Sequence, residues 1–236
     1  IRQFKQNIPI NEYEDLKPYI QRLMEGEDQL LWNTPVKWFA MSSGTTSEKS
    51  KFIPITDESL GDCHFQATKD VLTLYYNINN ESDLLTGKSL VIGGSHQISK
   101  VNEEIQYGDL SAVLLQNTPF WGQWIRTPEL SIALMDEWEG KIEQLALSTI
   151  EENVTSIAGV PTWTMVLIKR ILEITGKANL KEVWPNLELY VHGAVNFNPY
   201  REQFKNVMGK KINYVETYNA SEGFFGIQDL NNSDDM

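Results

Sequence analysis

The sequence predicts an α/β fold, a mostly parallel sheet flanked by helices, on three observations. From residue 141 onward, helical and strand-like patterns alternate without a break, as in strands joined by helical crossovers. Short apolar runs end abruptly at Gly-Gly or Gly-Ala, where a chain leaves a sheet tightly. The 236 residues are 41% hydrophobic and 22% charged, which is ordinary for a globular domain and enough for a sizeable core.

The elements follow in order. Asn11 can cap a helix over residues 12–25, stopped by Gly26. "VKWFAM" (36–41) reads as a buried strand feeding "SSGTTSEKSK", and an apolar "FIPI" leads out. Residues 57–76 place Leu60, Cys63, Ala67, Val71, Leu74 and Tyr75 at helical spacing. "SLVIGG" (89–94) reads as a strand with a tight exit. "GDLSAVLLQ" and "PELSIALMDEW" read as helices, the second with Pro128 near its first turn, and 141–153 continues helical. Then come a strand (154–161), a helix (162–175) closed by Gly176, a strand "LELYVHGA" (187–194), a helix (199–208), and strands "KINYVETY" (211–218) and "GFFGIQ" (223–228). No internal repeat or low-complexity linker interrupts them.

The charge balance narrows the partners. Twenty Lys+Arg against 32 Asp+Glu give a net charge of −12, a field that repels nucleic-acid backbones and anionic membrane surfaces. An anionic substrate then needs a local pocket of cations or amides. The single cysteine, Cys63, allows no intrachain disulfide and no cysteine metal site, and is expected as a small buried residue. No run approaches the ~18–20 apolar residues of a membrane span, and no signal peptide is visible. These features point to a soluble, cytoplasmic protein. The chain begins at Ile1 in a basic amphipathic stretch and ends in a polar turn. An incomplete domain is therefore expected, with apolar residues such as Phe224 or Phe225 unusually exposed.

In open parallel sheets, ligands bind beyond the carboxyl ends of the strands. Four such ends carry chemistry. The first holds Ser42, Ser43, Thr45, Thr46, Ser47 and Ser50 around Gly44, with Lys49 and Lys51 closing the stretch. Glycine lets backbone N–H groups converge on an anion, hydroxyls donate to phosphoryl oxygens, and a lysine supplies a point charge. It is not a Walker loop, and a solvated Ser/Thr-rich turn is the plainer alternative. The second end is Gly93-Gly94-Ser95. At the third, Gly193-Ala194 after a strand lets a flat ring approach the backbone, or makes a simple tight exit. At the fourth, "TYNASEGFFG", Tyr218 can stack on a base. There Glu222 can hold Mg²⁺ beside phosphates, or the segment is a turn capped by Asn219 and Ser221. His64, His96 and His192 have no paired carboxylate or cysteine at a telling spacing, and each is read as structural.

The three motifs in order, SSGTT…K, then Gly-Ala, then Y-x-x-S-E-G, resemble the adenylate-forming superfamily. Two departures refine this. Ser47 stands where a glycine is common after SSGTT, and Lys51 is the tenth residue from Ser42 rather than the ninth. With "KFIP", "YNASEGFFGI" and "YEDLKPYIQR", the chain is similar, over residues 13–228, to the auxin-responsive promoter (Gretchen Hagen) family of acyl acid amido synthetases, its bacterial branch above all.

The resemblance implies an N-terminal adenylating domain over residues 1–236, with a smaller C-terminal domain absent from this chain. It implies ATP and Mg²⁺ as cofactors, and a small carboxylic acid and an amino acid as partners. Ser42, Ser43, Gly44, Thr45, Thr46 and Lys51 would wrap the ATP phosphates. Gly193 and Ala194 would contact adenine, Tyr218 would lie against it, Ser221 would sit near the α-phosphate, and Glu222 would be the Mg²⁺ partner. The implied reaction is attack by a carboxylate on the α-phosphorus, then transfer of the acyl group to an amine. Catalysis would fall to Lys51, Ser221 and Glu222. An acyl-CoA ligase on the same fold and a non-catalytic nucleotide- or acid-binding protein are the alternatives. Nothing after Gln228 supplies the family's ribose-binding aspartate, since Asp229 is too close to the motif.

Overall fold

The computed structural model describes residues 2–7, 9–42, 50–94 and 98–230. Its helices α1 (Arg2–Asn7) and α2 (Tyr13–Met24) lead into a hairpin of β1 (Trp38–Ser42) and β2 (Lys51–Ile55). A π-helix (Ser59–Phe65) runs into α3 (Gln66–Ile78), followed by β3 (Lys88–Val91), β4 (Ser99–Lys100) and β5 (Gln106–Gly108). Then come α4 (Leu110–Gln116), α5 (Phe120–Ile125), β6 (Arg126–Thr127), α6 (Leu130–Ala133) and α7 (Trp138–Thr149). The chain continues through β7 (Val154–Ala158), α8 (Pro161–Thr175), β8 (Leu189–Gly193), α9 (Arg201–Met208), β9 (Asn213–Ala220) and β10 (Gly223–Ile227).

The larger sheet has the order β10-β9-β8-β7-β3-β6, parallel throughout except for β10, which returns antiparallel on β9. That is the mostly parallel sheet the alternation predicts. A second sheet, β2-β1-β5-β4, was not expected: β1 pairs antiparallel with β2 and parallel with β5. Its edge position explains how β2 tolerates Pro54, which lacks the N–H a central strand needs.

Three local expectations change. Glu12, not Asn11, caps α2; its backbone N–H donates to Asp15 Oδ2 at 2.9 Å. The single helix expected over 57–76 starts as a π-helix, whose wider turn shifts the apolar stripe. His64 is therefore buried, while Cys63, expected to be buried, is only half-buried. "PELSIALMDEW" is broken, because Glu137 caps a new helix, its carboxylate accepting from the N–H groups of Glu139 and Gly140.

Strand alternation divides the large sheet. Leu90, Ile157 and Tyr190 face α7, α8 and α9 and build the main core with Leu145, Ile168, Trp184 and Phe204. Trp184 satisfies its indole N–H on Thr149 O at 3.0 Å. Leu189, Val191 and Val215 face the other way, where Val71 and Tyr75 of α3 pack. No helix among the described residues is long and apolar enough to cross a membrane.

Candidate active site

The hydroxyl-rich stretch joins β1 to β2. Ser42 and Lys51 are the last register pair of that hairpin, so both stand at the base of the connection. The expectation that this stretch leaves a strand of the parallel sheet is corrected: it belongs to the smaller sheet. Ser43, Gly44, Thr45 and Thr46 lie outside the described residues, as do Ser95 and His96. Tyr13 of α2 fixes the start of β2. Its hydroxyl accepts from the Phe52 N–H at 2.9 Å, and the Lys51 ammonium lies 5.4 Å from its ring centroid.

Gly193 and Ala194 lie beside the Tyr218 strand. Gly193 is paired with Thr217, and a Cβ on Gly193 would come within 2.3 Å of the Thr217 carbonyl oxygen. Only glycine permits that approach. Ala194 then turns into the left-handed region at φ +67°. For a residue with a Cβ this costs roughly 1–2 kcal/mol, and such strain gathers at functional sites. Ala194→Gly is expected to raise stability by about 0.5–1 kcal/mol. The check is a higher urea midpoint with an unchanged m-value; an unchanged or lower midpoint refutes the strain.

Ser221 and Glu222 form the two-residue turn between β9 and β10, where Ala220 pairs with Gly223. Tyr218 is 56% exposed and Phe225 59%, with ring centroids 5.3 Å apart, so two aromatic rings stand open to solvent near the end of the sheet. Glu222 is exposed, and no hydrogen bond or ion pair engages its carboxylate among the described residues. Among the described residues, no three His, Cys, Asp or Glu side chains gather there as a metal cage. A lone free carboxylate suits Mg²⁺, which takes one or two carboxylates and completes its shell with phosphate oxygens and water.

On the sheet face opposite the main core lies a cavity of about 320 Å³. Its floor is Ser89, Val91, Ser156, Ala158, Leu189 and Val191, and α3, α4 and α5 roof it. Thr217 and Asn219, the two neighbours of Tyr218, line one end, and Arg126 lines the cavity as well. Motif and cavity therefore share one strand, β9.

The sequence profile of the GH3 family N-terminal domain matches residues 1–212. The chain belongs to the GH3 family. Among its GH3 relatives, a jasmonoyl–L-amino acid synthetase, JAR6 of Nicotiana attenuata, is 31% identical over 119 residues, 50% of this chain and 20% of that protein. An indole-3-acetic acid-amido synthetase, GH3.15 of Arabidopsis thaliana, is 26% identical over 190 residues, 78% of this chain and 30% of that protein. The solved AtGH3.15 acyl acid amido synthetase in complex with 2,4-DB superposes with a TM-score of 0.77 at 20% identity. It covers 97% of this chain and 49% of that one, so this chain spans about half its length.

Two groups of this GH3 chain escape sequence reading. His64 Nδ1 donates to Asn219 Oδ1 at 3.0 Å, and the Phe224 N–H donates to Cys63 Sγ at 3.3 Å, so the π-helix holds the β9–β10 hairpin. Burial keeps the His64 ring below the usual imidazole range, against the opposing effect of its bond to Asn219. Nothing local signals a contact across 155 positions; a π-turn is the only hint, and helical periodicity hides it. The second group fixes the exit of β3. Lys141, buried, donates to Gly94 O at 2.6 Å, and the Gly94 N–H donates to Ser111 Oγ, which donates to Asp109. Burial lowers the Lys141 pKa, and Asp109 and Asp136 oppose that shift. Sequence alone shows Lys141 as one more charge on an amphipathic helix.

Proposed function

We propose that the full-length protein adenylates a small carboxylic acid with ATP and passes the acyl group to an amino acid amine. The observation that carries this reading is the shared strand β9. Its Tyr218 stands exposed next in the chain to Thr217, the partner of Gly193, and its Thr217 and Asn219 line an apolar cavity. A flat base fits the first and an acyl body the second. Membership of the GH3 family and the names of its synthetase relatives support the same chemistry.

In this reading Ser42, Ser43, Gly44, Thr45, Thr46 and Lys51 hold the phosphates, and Gly193, Ala194 and Tyr218 hold adenine. Ser221 sits by the α-phosphate, and Glu222 is the residue that would hold Mg²⁺. That ion, when bound, screens charge on the phosphates. The acid's carboxylate oxygen attacks the α-phosphorus, the bond to pyrophosphate breaks, and an acyl-AMP forms. The amine nitrogen then attacks the acyl carbon, AMP departs with the bonding pair, and the amine loses a proton. The chain's task is to bring two anions together. Neutral hydroxyl and amide donors do so without the bulk charge that a cluster of cations would add.

This chain would be the N-terminal adenylating part, with a smaller C-terminal domain elsewhere in a longer cytoplasmic protein of the family's bacterial branch. ATP–pyrophosphate exchange by the full-length protein, across aromatic and aliphatic carboxylic acids, tests the reading. Acid-dependent exchange is expected, and its absence with every acid would leave a binding protein. Amino acids, not CoA, should discharge the acyl-AMP; discharge by CoA alone would make it an acyl-CoA ligase.

A further inference from the structure

The floor of the cavity has a pattern along the strands. Arg126 pairs with Ser89, Ser89 with Ser156, and Ser156 with Leu189, so one transverse row sets a guanidinium beside two hydroxyls. All four line the cavity. Two residues further along, about 7 Å by strand geometry, the row is Val91, Ala158 and Val191, which is wholly apolar. Beyond it are Gly93, Thr217 and Asn219, at the end beside Tyr218. The cavity is thus polar at both ends and apolar between, over roughly 13 Å from the level of Ser89 to that of Gly93.

Arg126 is the anomaly. Its Nε and Nη1 are buried without a hydrogen-bond partner, and no carboxylate pairs with it among the described residues. A buried cation with no partner is costly, whereas a charge-assisted bond to an anion recovers much of that cost. Burial accordingly lowers the Arg126 pKa, with no charged neighbour acting on it. Nor is Arg126 placed to hold the carboxylate that reacts. It stands at the amino end of β3, while Tyr218 and Glu222 mark the carboxyl ends.

We propose that the acid bound here carries a second, anionic oxygen group, a carboxylate in the simplest case, remote from the carboxylate that is activated. Arg126, Ser89 and Ser156 bind that distal group. This inference rests on the cavity being the acid site. A volume of about 320 Å³ holds about ten to twelve non-hydrogen atoms at the density of liquid water, enough for two polar ends and a short apolar body. The guanidinium would also select against plain fatty or aromatic acids, which leave it unpaired.

The test compares monocarboxylic and dicarboxylic acids of equal length on the full-length protein, wild type against Arg126→Met. Without ATP, the dicarboxylic acid should raise the melting temperature of the wild type and the monocarboxylic acid should do little. Arg126→Met should reverse that order. With no ligand it should melt about 2–4 °C higher, because an unpaired, half-buried charge is gone. A residue with a merely structural role would melt lower on substitution. Arg126→Lys keeps the charge and should keep the direction of preference, more weakly. In exchange assays the wild type should favour the dicarboxylic acid at least tenfold in kcat/KM. Equal preference in wild type and Arg126→Met overturns the proposal. So does an equal loss for both acids, which would put Arg126 on the reacting carboxylate. Absence of exchange with every acid removes the adenylation reading, while the melting series still decides the role of Arg126.

Discussion

Replacing Glu222 with glutamine is expected to lower ATP–pyrophosphate exchange by about 10²–10³-fold, the scale of one electrostatic stabiliser. Glutamine keeps the size and the hydrogen-bonding capacity and removes only the charge. Glu222 sits in a two-residue turn, exposed and engaged by no described partner, so the fold gains little from it. Stability should change by less than ~0.5 kcal/mol, as for surface positions without special contacts. Binding of the acid should also be unchanged, because the cavity is lined by Thr217 and Asn219 and not by Glu222. The informative comparison is the exchange rate of the folded variant at saturating Mg²⁺. A near-normal rate there would remove Glu222 from the site and leave it a solvated turn residue. An equal fall in thermal stability and exchange would instead mark a structural defect.

The fold was legible where a single element carries its own signal. The alternation after residue 141 depends on local periodicity, and β7, α8, β8, α9 and β9 form within a few residues of their expected bounds. The second sheet is not legible, because β4 and β5 are two and three residues long and acquire strand character only by pairing, β5 with β1 and β4 with β5. The site divides the same way. Gly193 ends β8 and Glu222 lies in the β9–β10 turn, places that glycines and turn residues announce, whereas β9 runs two residues beyond Tyr218, where the sequence pattern ends it, because it pairs on with β10. Arg126 carries no such signal, because sequence does not show that its Nε and Nη1 are buried without a partner among the described residues once the sheet forms. His64 has no catalytic spacing in the sequence, and it is buried. Yet the same burial sets it against Asn219 in the motif strand, a contact that only the tertiary fold creates.

His192 should make the protein sensitive to acid. It is the last residue but one of β8, just before Gly193, is 4% exposed, and stacks on Phe197 with centroids 4.1 Å apart. Its Nδ1 is buried without a partner among the described residues. Burial, with a smaller contribution from the Arg201 charge, pushes the imidazole down from 6.5 to about 4. In the unfolded chain the ring titrates near the ordinary value, about 6.5. Between those values the unfolded state binds the proton and the folded state refuses it, so stability falls as pH falls. The contribution is whole above about pH 6.5 and gone below about pH 4. A difference of some two and a half pKa units corresponds to about 3 kcal/mol, a large share of the ~5–15 kcal/mol that holds a domain folded. His64, also lowered by burial, acts in the same direction. His192→Phe would keep the stack on Phe197 and remove the proton site. Its urea midpoint should therefore drop less than that of the wild type between pH 7 and pH 4.5. Parallel declines in the two proteins would show that other groups govern acid unfolding. A flatter profile for the variant would mean that protonation strikes β8, which ends at Gly193, so the nucleotide binding proposed there should weaken in acid before the whole domain unfolds.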